Sequence, residues 1–198
     1  SDRGELIVDF TLPQNASIQE TRAQMDRFEK ALGGDRDIEH WTSYVGQSAV
    51  RFLLSFDVQP NNAFYGQVII QTAGLDARER VRTRINEFIR QEFVGTDVYV
   101  NALALGPPSG RPVQYRLSGP DVQVLRTNAQ KLAGIMSEDP RVDAPTFDWG
   151  EPARTVRVNV LQDKARQLGI SSSDIATVLN GIVGGTTITQ VRDRIYLV

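Results

Sequence analysis

An α+β fold built from tandem ferredoxin-like split βαβ units, the second incomplete, is predicted for this 198-residue chain by three observations. The order strand–helix–strand–strand is spelled twice, from ELIVDFTL onward and again from PVQYRLSG onward. Two stretches, 5–12 and 97–105, alternate apolar and polar residues with a period of two, and between them lie apolar stripes at helical spacing. The segment GPPSGRP (106–112) then interrupts the chain with a rigid, structure-poor hinge.

Residues 5–12 place Leu6, Val8, Phe10 and Leu12 on one side and Glu5, Ile7, Asp9 and Thr11 on the other, the pattern of a half-buried strand. Pro13 ends it. Ser17 and Glu20 form a capping box for a helix whose stripe is Ile18, Thr21, Met25, Phe28 and Leu32, closed by Gly33 and Gly34. A strand over Ile38–Val45, a turn at Gly46, an irregular stretch around 51–62 with room for a short strand, and a strand over 65–72 follow. Asp76 and Glu79 are expected to cap a second helix bearing Val81, Ile85, Phe88 and Ile89. The strand 97–105 then sets Val98, Val100, Ala102 and Ala104 against Tyr99, Asn101, Leu103 and Leu105, completing a ferredoxin-like lobe over 1–106.

The second lobe starts with a strand over Pro112–Ser118 and a helix from about Pro120 to Ser137, with strands expected at 142–149 and 154–160. Where a second helix and last strand would close it, the chain continues as DKARQLGISSSDIATVLNGIVGGTTITQVRD, in which Ser171 and Asp174 cap a short helix stopped by Gly184-Gly185. This predicts domains over 1–106, 107–161 and 162–198, the last the start of an inserted module. The chain opens on a strand and closes on Ile195-Tyr196-Leu197-Val198 with no polar tail, as the excised part of something larger would.

A net charge of −2 argues against a general nucleic-acid binder, which needs a basic face. The absence of cysteine removes disulfides, thiolate metal sites and thiol nucleophiles. No apolar run approaches the roughly 20 residues that span a bilayer, and no signal peptide is visible. His40 is the sole histidine and has no triad or metal-site spacing around it. Asp9 and Asp148 are strand carboxylates that could act as an acid–base pair; more simply, each sits on the polar or groove-facing side of its sheet. Asn15-Ala16-Ser17 matches a glycosylation acceptor, but Ser17 is accounted for as a cap. GPPSGRP lacks the lysine and helix start of a phosphate loop, and Met25 and Met136 both fall on core stripes. No cofactor, metal or catalytic residue is therefore expected.

The off-core strand faces carry more. Ile7, Asp9 and Thr11 on the first strand, with Tyr99, Asn101, Leu103 and Leu105 on the last, are too apolar for free solvent and too polar for a sealed core. A ligand groove needs that balance. Packing of one lobe's sheet against the other would satisfy the same periodicity.

Several stretches resemble the resistance–nodulation–division (RND) efflux transporters, in order along nearly the whole chain. These are SDRGELIVDFTLPQNASIQET, GPPSGRPVQYRLSGPD, FDWGEPARTVRVNV and DKARQLGISSSDIATVLNGIVGGTTITQVRD. The resemblance implies that 1–106 is the third porter subdomain, 107–161 the first part of the fourth, and 162–198 the start of the docking subdomain. It implies the periplasmic portion of a proton-driven bacterial inner-membrane pump. Such a pump works as a homotrimer by alternating access, with a periplasmic adaptor protein and an outer-membrane channel. Ile7 and Asp9, then Asn101, Leu103 and Leu105, then Thr146 and Asp148 fall where the family contacts its small-molecule substrates. The loop around Tyr44–Gln47 falls where the family divides an outer from an inner pocket. Drug-exporting relatives line this cleft with phenylalanine and methionine, whereas Asp9 and Asn101 stand at such positions here. The alternative from the fold alone is a soluble tandem ferredoxin-like sensor that binds a small metabolite.

Overall fold

A computed structural model of the chain describes residues 3–54, 56–103, 110–142, 145–150, 152–193 and 196–197. It forms two compact units, Ser1–Ala153 and Arg154–Val198. The first is built on β1 (Glu5–Thr11), α1 (Ile18–Leu32), β2 (Ile38–Val45), β3 (Tyr65–Thr72), α2 (Leu75–Glu92) and β4 (Asp97–Ala102). The four strands form one antiparallel sheet in the order β2-β3-β1-β4, the ferredoxin-like arrangement that the alternation predicts. β1 is central: Asp9 lies between Gln67 of β3 and Tyr99 of β4, and Thr11 between Tyr65 and Asp97.

Parity fixes what each face of this sheet meets. Leu6, Val8 and Phe10 point toward α1 and α2 and are fully buried with Met25, Phe28, Val68, Ile70 and Val81. Phe10 and Phe28 meet edge to face at 5.1 Å, and Phe93 closes on both at 5.7 and 6.2 Å. Each such ring stabilises the fold by about 1.5–3 kcal/mol through burial, and edge-to-face pairs add to that. Gly66 permits the closest approach of helix to sheet, because a Cβ there would stand 2.1 Å from Met25 Sδ. Across the first unit, Arg84 of α2 bridges Asp35 and Asp37, and Arg80 joins the latter, so that Asp37 titrates at about 2.

Local signals hold with four corrections. Ser17 caps α1 by accepting from the Glu20 N–H at 3.1 Å, but the Glu20 carboxylate accepts from Gln24 instead of returning the bond. Ile18 lies at the helix start, 45% exposed, and so stands off the buried stripe. Asp76 and Glu79 do not cap α2: its N-cap is Gly74, whose φ of 140° no side chain adopts comfortably, and Asp76 sits in the first turn, where a carboxylate favours the helix dipole. The stretch 51–62 holds no strand among its described residues.

Of the stretch expected to be a hinge, 106–109 lie outside the described residues; further along, α3 (Val122–Ser137) forms with Asp121 as its cap, accepting from the Gln123 and Val124 N–H groups. The strands expected at 112–118, 142–149 and 154–160 are not formed among the described residues. Their apolar pattern says which side a strand would bury, but a strand also needs a neighbour for its backbone N–H and C=O groups. No described segment supplies that ladder. The second unit carries α4 (Gln162–Gln167), α5 (Ser172–Gly184) and a hairpin of β5 (Arg192–Asp193) with β6 (Tyr196–Leu197). The cap expected for α5 is complete: Ser171 Oγ accepts from the Asp174 N–H, Asp174 accepts from the Ser171 N–H, and Gly185 ends the helix at φ 76°.

Candidate functional site

The face of the sheet turned away from the helices is graded along β1. Its middle is apolar. Ile7 and Leu103 are only 7% and 3% exposed, because Ala49 and Phe56 of the loop after β2 fold back over them, with Tyr44, Leu53 and Ile69 at the margin. The loop is pinned at both ends. The Ala49 N–H donates to Gln67 Oε1 at 2.9 Å, and Ser48 Oγ accepts from the Gln59 N–H at 3.0 Å. A sheet face that alternation alone describes as groove-like is thus covered here by the chain's own loop.

Toward the far end of β1 the same face turns polar and opens into a cavity of about 290 Å³, lined by Asp9, Thr11, Gln59, Asn62, Tyr65, Asp97, Tyr99 and Arg111 among others. Register explains the grouping, since Asp9 and Thr11 have Gln67, Tyr99, Tyr65 and Asp97 as cross-strand neighbours. The Tyr65 hydroxyl donates to Asp9 Oδ1 at 2.5 Å and Gln67 Nε2 donates to the same oxygen at 2.8 Å. Burial raises the Asp9 pKa above the ordinary carboxylate range, and these two donors oppose the rise. Burial, reinforced by the neighbouring Asp9 charge, pushes the Tyr65 phenol far up, so it remains a donor. On the opposite wall the Arg111 guanidinium pairs with Asp97 and lies over the Tyr99 ring, 4.5 Å from its centroid.

Of the predicted site residues that the structure describes, Asp9 alone lines this cavity. Ile7 and Leu103 sit under the loop, Tyr44 is half-buried beside them, and Asn101 is exposed next to Ile7 in register. Thr146 and Asp148 are exposed in the irregular stretch 145–150, and Leu105 lies outside the described residues. Among the described residues no group of three or more His, Cys, Asp or Glu could hold a metal ion. Tyr65, Gln67, Asp97 and Arg111 are among the lining or supporting residues that sequence reasoning missed. The first two share the parity of Asp9 across the ladder and were within reach of a pairing argument.

The family model described as the AcrB/AcrD/AcrF family matches residues 1–198. The chain belongs to that family. This is the RND transporter family, and two solved structures similar to this chain agree in fold. Both are of a heavy metal efflux pump, crystal forms II and I, at TM-scores of 0.67 and 0.68 and 17% sequence identity. Each match covers 99% of this chain and 21% of the other, so the chain spans about a fifth of the length of those pumps. Among the described residues no helix is long and apolar enough to cross a membrane.

Proposed function

We propose that this chain is a substrate-cleft portion of the periplasmic porter region of a proton-driven RND-type efflux permease for small molecules. In this reading residues 1–106 are the third porter subdomain, 107–161 the first part of the fourth, and 162–198 the start of the docking subdomain. The intact pump is an inner-membrane homotrimer engaged with an adaptor protein and an outer-membrane channel. It works by alternating access, with Gly106–Pro112 as the hinge. One observation carries the reading: in a chain of this family, the sheet face opposite the helices ends in a lined cavity instead of a sealed core. A cavity with a few convergent polar groups binds, and no group in it is arranged to make or break a bond.

Thr11 lines the cavity with its side chain exposed, so a larger residue there narrows the space without entering the helix-side core. Thr11→Trp in the intact pump should lower export about tenfold, the effect of roughly 1.4 kcal/mol of lost binding. Circular dichroism and thermal unfolding of the variant should be unchanged. Export at the parental rate, with the variant folded, would overturn the assignment.

A further inference from the structure

We infer that the cavity at the end of β1 takes a small organic cation, an amidine or protonated amine, which replaces the Arg111 guanidinium between Asp97 and Tyr99 and faces Asp9. The inference rests on the reading of this face as a substrate cleft and names the chemical class it would accept.

Three features converge on a cation. The cavity already holds one from its own chain: Arg111 is bound there by a carboxylate on one side and an aromatic face on the other. That pairing is what a planar cationic ligand needs. Arg111 belongs to no strand, whereas Asp97 and Tyr99 are fixed on β4 and held in register with β1. Displacing it therefore moves one side chain and leaves the sheet intact.

The charge balance is the second feature. Asp9 and Asp97 face the cavity against the single cation Arg111, leaving one carboxylate in excess among the described lining residues. Third, Asp9 is held but not saturated. Oδ1 takes both donors, from Tyr65 and Gln67, which leaves Oδ2 open to a donor from the cavity that Asp9 lines. At such an oxygen a charged donor forms a stronger hydrogen bond than a neutral one. A cavity of about 290 Å³ accommodates a one-ring ligand.

Benzamidine and benzamide test this, because they share a shape and differ in charge. Titrated calorimetrically into the chain, benzamidine should bind about tenfold or more tightly than benzamide, the discrimination expected of charge-assisted hydrogen bonds. Arg111→Gln should widen that preference by freeing Asp97 and the Tyr99 ring, and Asp9→Asn should shrink it. Equal binding of the two probes, binding of neither, or a preference unchanged by both Asp9→Asn and Asp97→Asn would overturn the inference. Export of benzamidine by the intact pump separates the two readings. Selective binding without export removes the cleft assignment and leaves the cation site standing. Export of other substrates that Thr11→Trp lowers, without selective benzamidine binding, does the reverse.

Discussion

The two faces of the same four-stranded sheet are closed in different ways. On one, α1 and α2 seal Leu6, Val8, Phe10, Phe28 and Val81 completely. On the other, a single loop lays Ala49 and Phe56 over Ile7 and Leu103, and cover gives out at Asp9. The helix face is held by interlocked rings from several elements, the loop face by Phe56, with Phe52 4.9 Å from it, and a few hydrogen bonds at Ser48 and Gln67. A face with few buried contacts opens at lower free energy than the global transition, and that is where binding sites are drawn from. The sealed face and the open one thus lie on opposite sides of one strand, β1, whose alternate residues serve each.

The largest expected effect tests the helix face. Phe28→Ala should cost about 3–5 kcal/mol in denaturant unfolding, because Phe10, Phe88 and Phe93 all lose their partner ring. Phe56→Ala, on the loop face, should cost only about 2 kcal/mol. It should also speed hydrogen exchange at the Ala49 and Gln59 amides while leaving β1 amides protected. Equal costs at the two phenylalanines would break the comparison.

Asp9→Asn sharpens it through pH. Burial raises the folded-state pKa of Asp9, so its contribution to stability is fully present below the unfolded value, about 4, and is lost as pH rises through the folded value. The asparagine variant should therefore melt above the parent at neutral pH, and the gap should narrow as pH falls toward about 4. A constant gap in melting temperature across that range would show that Asp9 ionisation costs the fold nothing. A carboxylate kept where it weakens the fold is the signature expected of a binding group.

Much of the first unit was legible because each element carried two agreeing signals. β1 and α1 had a clear period and a stop or cap residue beside it, Pro13 and Ser17, and both emerged within a residue of expectation. α5 was readable from Ser171, Asp174 and Gly185 for the same reason. The strands expected at 112–118 and 154–160 had a period but no partner, and pairing is not a property of a single segment. At the site, Asp9 was found by parity. Tyr65 and Gln67 required the register of β3 on β1, and Arg111 required knowing that the residue pairs with Asp97 of β4. The loop over Ile7 and Leu103 left no periodic trace, because Ala49, Leu53 and Phe56 belong to no regular element.

The central position of β1 has a mechanical consequence. A pull or push along the strand from its Arg3 end would load the ladders to β3 and β4 together, over residues 5–11 on one side and 6–11 on the other. Hydrogen bonds perpendicular to such a force share it in shear, and must yield collectively instead of one at a time. Axial displacement of this strand therefore carries its neighbours with it as a rigid plate. Asp9, Gln67 and Tyr99 would travel together, and the shape of their wall would survive the stroke.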